Sequence, residues 1–442
     1  MNDSWLKRSI MLRMTIIGGL TIAMLIPSIL IMELISEREK TRNSAVAEVS
    51  EKWGESQIIA GPILTLPFKR GLRTDNGDTR VVVERARFLP ESVSITSSAS
   101  PEVRRRGIYQ VILYNAVAEV QGKFSLDGLA PMNIRLEDVL WEEAVLTMGI
   151  RDLKGVKEGI TIRWAGKEFT AEPGIVAGDV VESGVSIRPV LSAGEKQYEF
   201  STSINLNGSD ELQFVPVGKQ TSVSVSSPWP SPSFVGRFLP DERTVSEDGF
   251  TAKWNVLHLN RNFPQQWILE RISAGSVQFD PFAFGVKLIS PIDGYQQTMR
   301  SAKYAIMFIA LTFLAFFLTE VFTKKAGHPV HYALIGFALV LFYCLLLSLS
   351  EYSSFTLAYA ISSLATVALI GGYSRSVLGT TRFAATISSL LVFLYSFLFI
   401  ILQQEDYALL FGSIGLFVVL ALVMYLTRKI DWFTVGKTEG VS

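Results

Sequence analysis

Two kinds of hydrophobic pattern divide the chain. Long uninterrupted apolar runs occur near the N-terminus and throughout the last third, whereas the region between them alternates short apolar and polar stretches. An apolar run of about 20 residues crosses the ~30 Å hydrocarbon core of a bilayer, because a helix rises about 1.5 Å per residue. The pattern therefore predicts a membrane α-helical bundle joined to a large domain of β-strands.

The first apolar run covers residues 14–35 and contains a single charged residue, Glu33. We interpret it as an uncleaved transmembrane helix that follows a cytoplasmic segment at residues 1–13. The alternative is a cleavable signal peptide, with residues 45–47 as its cleavage box. That box lies about ten residues beyond the end of the run, and the run is longer than the apolar core of a signal peptide.

Five more apolar segments follow, and together they predict a transmembrane bundle over residues 302–427. They cover residues 302–322, 331–349, 355–373, 383–403 and 408–427. Each is about one bilayer long, so the chain has six predicted spans and ends in a cytoplasmic tail at residues 428–442.

The basic residues indicate how these spans are oriented. The short segments on the side of the N-terminus carry Lys7, Arg8, Arg13, Lys324, Lys325, Arg375, Arg382, Arg428, Lys429 and Lys437. The two short loops on the other side carry Glu351, Glu405 and Asp406 instead. Because short loops rich in Lys and Arg stay in the cytoplasm, both termini are predicted to be cytoplasmic and the large loop extracytoplasmic.

That large loop, residues 36–301, is predicted to form a β-rich domain that begins with a helical stalk. Segments such as Tyr198–Leu206 and Thr221–Ser226 alternate apolar and polar residues, as half-buried strands do. Gly159–Phe169 is predicted to form a hairpin, with Ala165 and Gly166 at its turn. Gly, Pro, Asn and Asp separate the strand-like runs, which favours an antiparallel, all-β sandwich-like fold.

Composition and motifs exclude several kinds of chemistry. The formal net charge is 0, so nucleic acid is not an expected partner. One cysteine, Cys344, and three histidines leave no disulfide and no Cys-rich metal site. P-loop, GxGxxG, HExxH and GxSxG motifs are all absent. No catalytic residue, cofactor or metal is therefore predicted, and His258 is the one histidine of the β-rich domain.

Two aromatic residues are candidates for an interaction surface. Trp229 and Phe234 lie in the string Pro-Trp-Pro-Ser-Pro-Ser-Phe, whose three prolines place it at a sheet edge or in a loop. One interpretation is a rigid crossover between strands with both rings buried. The other is a partner-binding surface, because rings held between prolines lose little freedom on binding.

Two glutamates of the bundle are the other candidates. Glu320 lies near the cytoplasmic end of the second span, four residues before Lys324, so the pair fits an exposed i,i+4 ion pair. The alternative is a functional carboxylate in the membrane. Glu351 ends the third span on the outer side, where an interfacial group is expected. Small residues recur every fourth position at Ala358, Ser362 and Thr366, which predicts close helix packing.

The order of one span, a large β-rich loop and five spans resembles the CreD family of bacterial inner-membrane proteins, the cell-envelope-integrity family. The resemblance is carried by KYAIMFIALTFLAFFLTE at Lys303–Glu320, by HPVHYALIGFALVLFYCLLLSLSE at His328–Glu351 and by WPSPSFVGRFLP at Trp229–Pro240. It implies an inner-membrane protein of Gram-negative bacteria connected with envelope integrity and stress responses. It implies no molecular activity and no catalytic or ligand-binding residues.

The sequence thus favours a non-enzymatic, multi-pass membrane protein whose periplasmic β domain binds a partner. The expected partners are the lipid bilayer and an unidentified envelope protein or polymer. A transporter or flippase is the first alternative, and it needs broken helices or polar clusters in the membrane. A periplasmic enzyme acting on envelope polymers is the second, and it needs clustered acids or a paired His258.

Overall fold

The computed structural model describes residues 10–73, 79–271, 277–289, 294–323, 328–378, 381–403 and 408–428. The chain forms two compact units. One is helical and combines Met1–Asn43 with Ile292–Ser442, and the other is Ser44–Pro291.

The described residues contain eight α-helices. They are α1 (Ile10–Ala23), α2 (Leu25–Trp53), α3 (Gly294–Lys303), α4 (Ala305–Thr323), α5 (Pro329–Ser350), α6 (Phe355–Leu378), α7 (Thr381–Gln403) and α8 (Ala408–Thr427). Helix α2 continues without a break through the predicted stalk. Pro27 explains the interruption between α1 and α2. Its ring clashes with the carbonyl of Ala23, four residues earlier, and it has no N–H to donate to that carbonyl.

Four helices are long and apolar enough to cross a membrane: Leu12–Trp53, Pro329–Ser350, Phe355–Val377 and Ala384–Gln403. A fifth span arises if Gly294–Lys303 and Ala305–Val321, which are bent by 45° relative to each other, are taken as one. At the bend, the Tyr304 amide donates to the Ser301 carbonyl three residues back, which tightens the turn. Leu410–Tyr425 is a shorter apolar helix, so four or five of the six predicted spans are present by length and composition.

The second unit is a β-sheet domain of seventeen strands. They are β1 (Gln57–Arg73), β2 (Thr79–Phe88), β3 (Ser92–Arg106), β4 (Tyr109–Ser125), β5 (Val145–Ile150), β6 (Thr161–Trp164), β7 (Lys167–Thr170), β8 (Glu172–Pro173), β9 (Gly184–Ile187), β10 (Gln197–Ser209), β11 (Glu211–Phe214), β12 (Gln220–Ser227), β13 (Pro232–Gly236), β14 (Glu242–Ser246), β15 (Gly249–Leu257), β16 (Gln266–Ile268) and β17 (Phe284–Leu288). One sheet has eight strands, in the order β14-β15-β12-β3-β4-β10-β6-β7. The other has nine, in the order β13-β17-β11-β1-β5-β9-β8, with β2 beside β1 and β16 beside β2.

Each sheet contains one parallel pair, so the predicted antiparallel arrangement holds for the other strand pairs and is wrong for these two. Strand β1 runs parallel to β11, and β3 runs parallel to β12. The alternation of apolar and polar residues has a period of two in either kind of pairing. It therefore cannot show which distant strands become neighbours or in which direction they run.

The two sheets share one hydrophobic core. The rings of Trp254 on β15 and Phe284 on β17, one from each sheet, are 5.6 Å apart. The predicted hairpin is confirmed, because β6 pairs with β7 around Ala165 and Gly166, both at positive φ. Two central residues at positive φ make the tight turn whose twist suits a two-residue hairpin.

Candidate functional site

Trp229 and Phe234 lie at one edge of the nine-stranded sheet. Trp229 is half-buried against the core, and its indole N–H donates to the Ile289 carbonyl at 2.9 Å. The three prolines, which cannot donate backbone hydrogen bonds, sit just before or at the start of the edge strand β13. Trp229 therefore connects the beginning of the edge strand to the segment after β17 through this hydrogen bond.

Phe234 on β13 reaches the opposite sheet. Its ring lies 6.0 Å from those of Phe250 and Trp254 on β15, and the Arg243 guanidinium lies 5.8 Å from its centre. Edge-to-face contacts of this kind add to the stability gained by burial. The geometry is that of a crossover packed on the core, with both rings partly buried.

Glu351 lies in a polar cluster at one end of the helical bundle. Its side chain is 8% exposed and accepts a hydrogen bond of 2.8 Å from the Tyr295 hydroxyl on α3. The Arg38 guanidinium on α2 is 4.0 Å away, and the Arg42 guanidinium lies over the Tyr295 ring at 5.2 Å. A carboxylate at the end of α5 thus connects three helices.

Glu320 is buried, at 7% exposed, whereas the interpretation from sequence was an exposed ion pair with Lys324. Lys324 itself lies outside the described residues. Glu320 and Arg13 both act electrostatically on the Tyr332 hydroxyl, which sits in the first turn of α5. The apolar helices packed around the end of α4 explain the burial, which a pattern of charges cannot reveal.

Glu320 and Glu351 do not form one site. Glu320 neighbours the beginning of α5, and Glu351 follows its end. Helix α5 has 22 residues, which at about 1.5 Å per residue separates its ends by about 33 Å. The two carboxylates therefore belong to opposite ends of the bundle.

Buried hydroxyl groups lie inside the bundle, between its two ends. The predicted small-residue face of α6 is buried at Ala358, Ser362 and Thr366. Within the part of the chain that the structure describes, the side-chain oxygens of Ser301, Thr312 and Ser362 are buried without a hydrogen-bond partner. Unpaired hydroxyls in an apolar interior cost free energy, so these positions are candidates for contact with water or a polar ligand.

Arg87 in the β domain is a buried ion-pair residue that sequence reasoning missed. Its side chain is fully buried and forms a 2.7 Å ion pair with Asp179. It also donates to the Thr65 hydroxyl and the Val176 carbonyl. Burial lowers the pKa of Arg87, and the Asp179 carboxylate opposes that shift. The arrangement fastens a loop between β8 and β9 onto the sheet.

Arg261 is a second buried cation, and main-chain carbonyls surround it. It donates to the carbonyls of Phe263 at 2.8 Å and Val217 at 2.9 Å. Burial lowers its pKa to about 10, so the guanidinium stays charged at neutral pH. Arg87 and Arg261 act as structural clamps, and neither has a sequence motif that distinguishes it from a surface arginine.

Among the described residues, the His258 ring makes its hydrogen bond to a main-chain carbonyl and not to a carboxylate or a hydroxyl. Its Nδ1 is 3.3 Å from the Lys219 carbonyl, and the ring is half-exposed at the end of β15. Over those residues there is also no group of three His, Cys, Asp or Glu side chains placed to hold a metal ion. The hydrogen bond of His258 to the main chain gives the ring a local structural role.

These features define an integral membrane protein with several apolar helices and one large two-sheet domain. The family model described as inner membrane protein CreD matches residues 9–433, and the chain belongs to that family. It is 32% identical over 437 residues to inner membrane protein CreD of Escherichia coli (strain K12), covering 97% of this chain and 95% of that protein. The resemblance seen in the sequence is thereby confirmed.

Proposed function

We propose that the protein supports the integrity of the cell envelope, or its response to stress, by binding rather than by catalysis. In this proposal the β domain lies in the periplasm and contacts an envelope protein or polymer. The main support is the division of the chain into a helical unit and a separately cored two-sheet domain. Sheet edges and loops on a rigid core are suited to recognising a partner.

The proposal includes a topology of six spans with both termini in the cytoplasm. It requires α3 and α4 to cross together and α8 to cross as the last span. The excess of Lys and Arg in the short segments on one side supports this orientation.

Reporter fusions test the topology. A reporter that is active only outside the cytoplasm is expected to work after Ser353 and after residue 404. It is expected to stay silent after residues 327 and 376. The opposite result at either pair contradicts the six-span arrangement.

The functional part is tested by complementation. Deleting the gene is expected to sensitise cells to envelope stress, and the full chain is expected to restore resistance. A pull-down with the full chain in detergent is then expected to recover an envelope component. If the recovered fraction instead converts an envelope polymer to product, the binding proposal fails and the enzyme alternative replaces it.

A transporter or flippase is the second candidate, and two observations favour it. The helix pair α3–α4 is bent by 45°, and broken helices are common where transporters bind their substrates. The buried hydroxyls of Ser301, Thr312 and Ser362 supply polar atoms inside the bundle. If Ser301→Ala and Thr312→Val abolish complementation at normal abundance, transport through the bundle is favoured over binding by the β domain.

A further inference from the structure

The outer face of the eight-stranded sheet carries a cleft of about 260 Å³. Its floor consists of neighbouring positions on three strands. Ser222 on β12 lies between Ser94 and Asn255, and Ser224 lies between Thr96 and Lys253. Strands are about 4.8 Å apart and same-face residues about 6.7 Å apart along a strand, so the six side chains form a flat polar grid.

The grid is free to bind a ligand. Among the described residues, the hydroxyls of Ser94, Thr96, Ser222 and Ser224 form no hydrogen bond with another protein group. Serine has a low preference for exposed strand positions compared with β-branched residues. The serines at these positions therefore lower the strand propensity of the segment. Their small side chains leave a shallow surface with many hydrogen-bond donors and acceptors.

One wall of the cleft is held in a fixed position. The Asp241 carboxylate accepts a 2.7 Å hydrogen bond from the backbone N–H of Asn255, and the backbone N–H of Asp241 donates to the Lys253 carbonyl at 2.8 Å. The Lys253 ammonium is paired with Glu242 at 2.9 Å. Because the two hydrogen bonds of Asp241 already hold this wall against β15, little of its conformational freedom is lost when a ligand enters.

The chemistry of the face excludes several ligand classes. Protein interfaces use buried aromatic or apolar anchors. The exposed side chains of this cleft are instead hydroxyls, one amide, the lysine paired with Glu242 and the Asp241 carboxylate, which already accepts a hydrogen bond from the main chain. Nucleic acids and anionic lipids need a cluster of unpaired positive charges. A neutral ligand with many hydroxyl groups matches the grid, since each of its hydroxyls both donates and accepts.

We propose that this cleft binds a short stretch of a neutral glycan strand. The inference rests on the periplasmic placement proposed above and names the class of envelope polymer. The cleft volume is close to the ~300 Å³ at which small-molecule sites begin, so it holds part of a strand rather than a whole oligosaccharide. The remaining sugar rings extend over the serine-rich face.

The test titrates the purified full chain with two neutral tetrasaccharides, one of N-acetylglucosamine and one of glucose, by calorimetry. The detergent must lack a sugar headgroup, because a maltoside would compete for the site. We expect at least one tetrasaccharide to bind. The variant Ser222→Val with Ser224→Val is expected to bind it at least about tenfold more weakly, as two lost hydrogen bonds predict.

Two matched variants separate loss of binding from loss of fold. Valine suits a strand, so the double variant should unfold at the same temperature as the wild type. Ser224→Thr retains the hydroxyl and is expected to bind within about threefold of the wild type. Ser100→Val changes the same face of β3 about 13 Å from Thr96 along the strand, since four residues span that length, and should bind normally.

Several results would overturn the inference. It fails if neither tetrasaccharide binds, or if the double variant binds as well as the wild type. It also fails if an acidic oligosaccharide binds more tightly than both neutral ones. It fails, finally, if sedimentation shows that the wild type is a dimer and the double variant is a monomer. The face would then be a contact between two copies of the chain. Binding in detergent does not depend on topology, so a failure here leaves the reporter-fusion result intact.

Discussion

The β domain and the helical bundle both bury polar side chains, but they do so differently. In the β domain, the buried Arg87 and Arg261 lie deep in the fold and are surrounded by specific acceptors. In the bundle, the buried carboxylates Glu320 and Glu351 lie at the ends, and the middle contains hydroxyls.

The difference follows from what the backbone can supply. Loops beside a sheet have free carbonyls that can surround a cation, whereas carbonyls inside a helix are already paired. A charge in the β domain can therefore order a loop, and a charge in the bundle is accommodated where helices end. Changes to buried charges should then be most costly in the β domain.

Arg87→Met is expected to have the largest effect. It leaves Asp179 without its partner in a partly buried place, and breaking a buried pair costs about 3–5 kcal/mol. The free energy of unfolding, from urea titration of the full chain in detergent followed by tryptophan fluorescence, measures the change.

The matched control for Arg87 is Arg85→Met on the same strand. Arg85 pairs with Glu270 at 2.9 Å, but its side chain is 46% exposed, so the loss should stay below about 1 kcal/mol. Equal losses at the two positions would contradict the distinction between buried and exposed pairs.

Glu351→Gln tests the polar cluster at the end of the bundle. We expect a loss of about 1–2 kcal/mol, because the charged acceptor of the Tyr295 hydroxyl is weakened and the 4.0 Å ion pair between Arg38 and Glu351 is lost. Tyr295→Phe removes the same hydrogen bond from the other side. The double variant should therefore lose less than the sum of the two single losses.

Thermal unfolding of the four proteins in detergent measures this coupling. Strictly additive losses would show that the 2.8 Å contact contributes nothing to the bundle. Complete loss of complementation by Glu351→Gln at normal abundance would instead make Glu351 a functional group.

The local features of the fold were predictable from the sequence, and the long-range ones were not. The hairpin at Ala165 and Gly166 was predictable because its turn needs residues that adopt positive φ. The apolar runs were predictable because bilayer thickness sets their length. The parallel pairing of β3 with β12 depends on which distant strands become neighbours. The alternation of apolar and polar residues carries no information about that.

Site residues show the same limit. Trp229 could be predicted because the flanking prolines make its string unusual, whereas Arg87 looks like an ordinary strand charge. Its burial results from the loop that carries Val176 and Asp179, and the position of that loop is set by distant parts of the chain. The cleft at Ser222 and Ser224 was missed for a related reason, since its members come from three strands.

Trp229→Phe sharpens the comparison at the edge of the β domain. The ring remains, and the hydrogen bond to the Ile289 carbonyl is lost, so we expect a decrease of about 0.5–1 kcal/mol in the free energy of unfolding. Complementation should be retained if Trp229 is a structural crossover residue. A folded variant of normal abundance that fails to complement would favour the partner-binding interpretation.

His258→Ala is expected to have the smallest effect, and it tests the proposal of binding against that of catalysis. The ring is half-exposed and makes a single 3.3 Å contact with the Lys219 carbonyl, so its removal should change stability by less than about 0.5 kcal/mol. Histidine is the commonest general base near neutral pH, and an enzyme that used His258 would lose its activity in this variant. We therefore expect full complementation at wild-type abundance, with Leu259→Ala as the neighbouring control. The opposite result is a well-folded His258→Ala protein that fails to complement while Leu259→Ala complements. That result would show that the β domain acts as an enzyme.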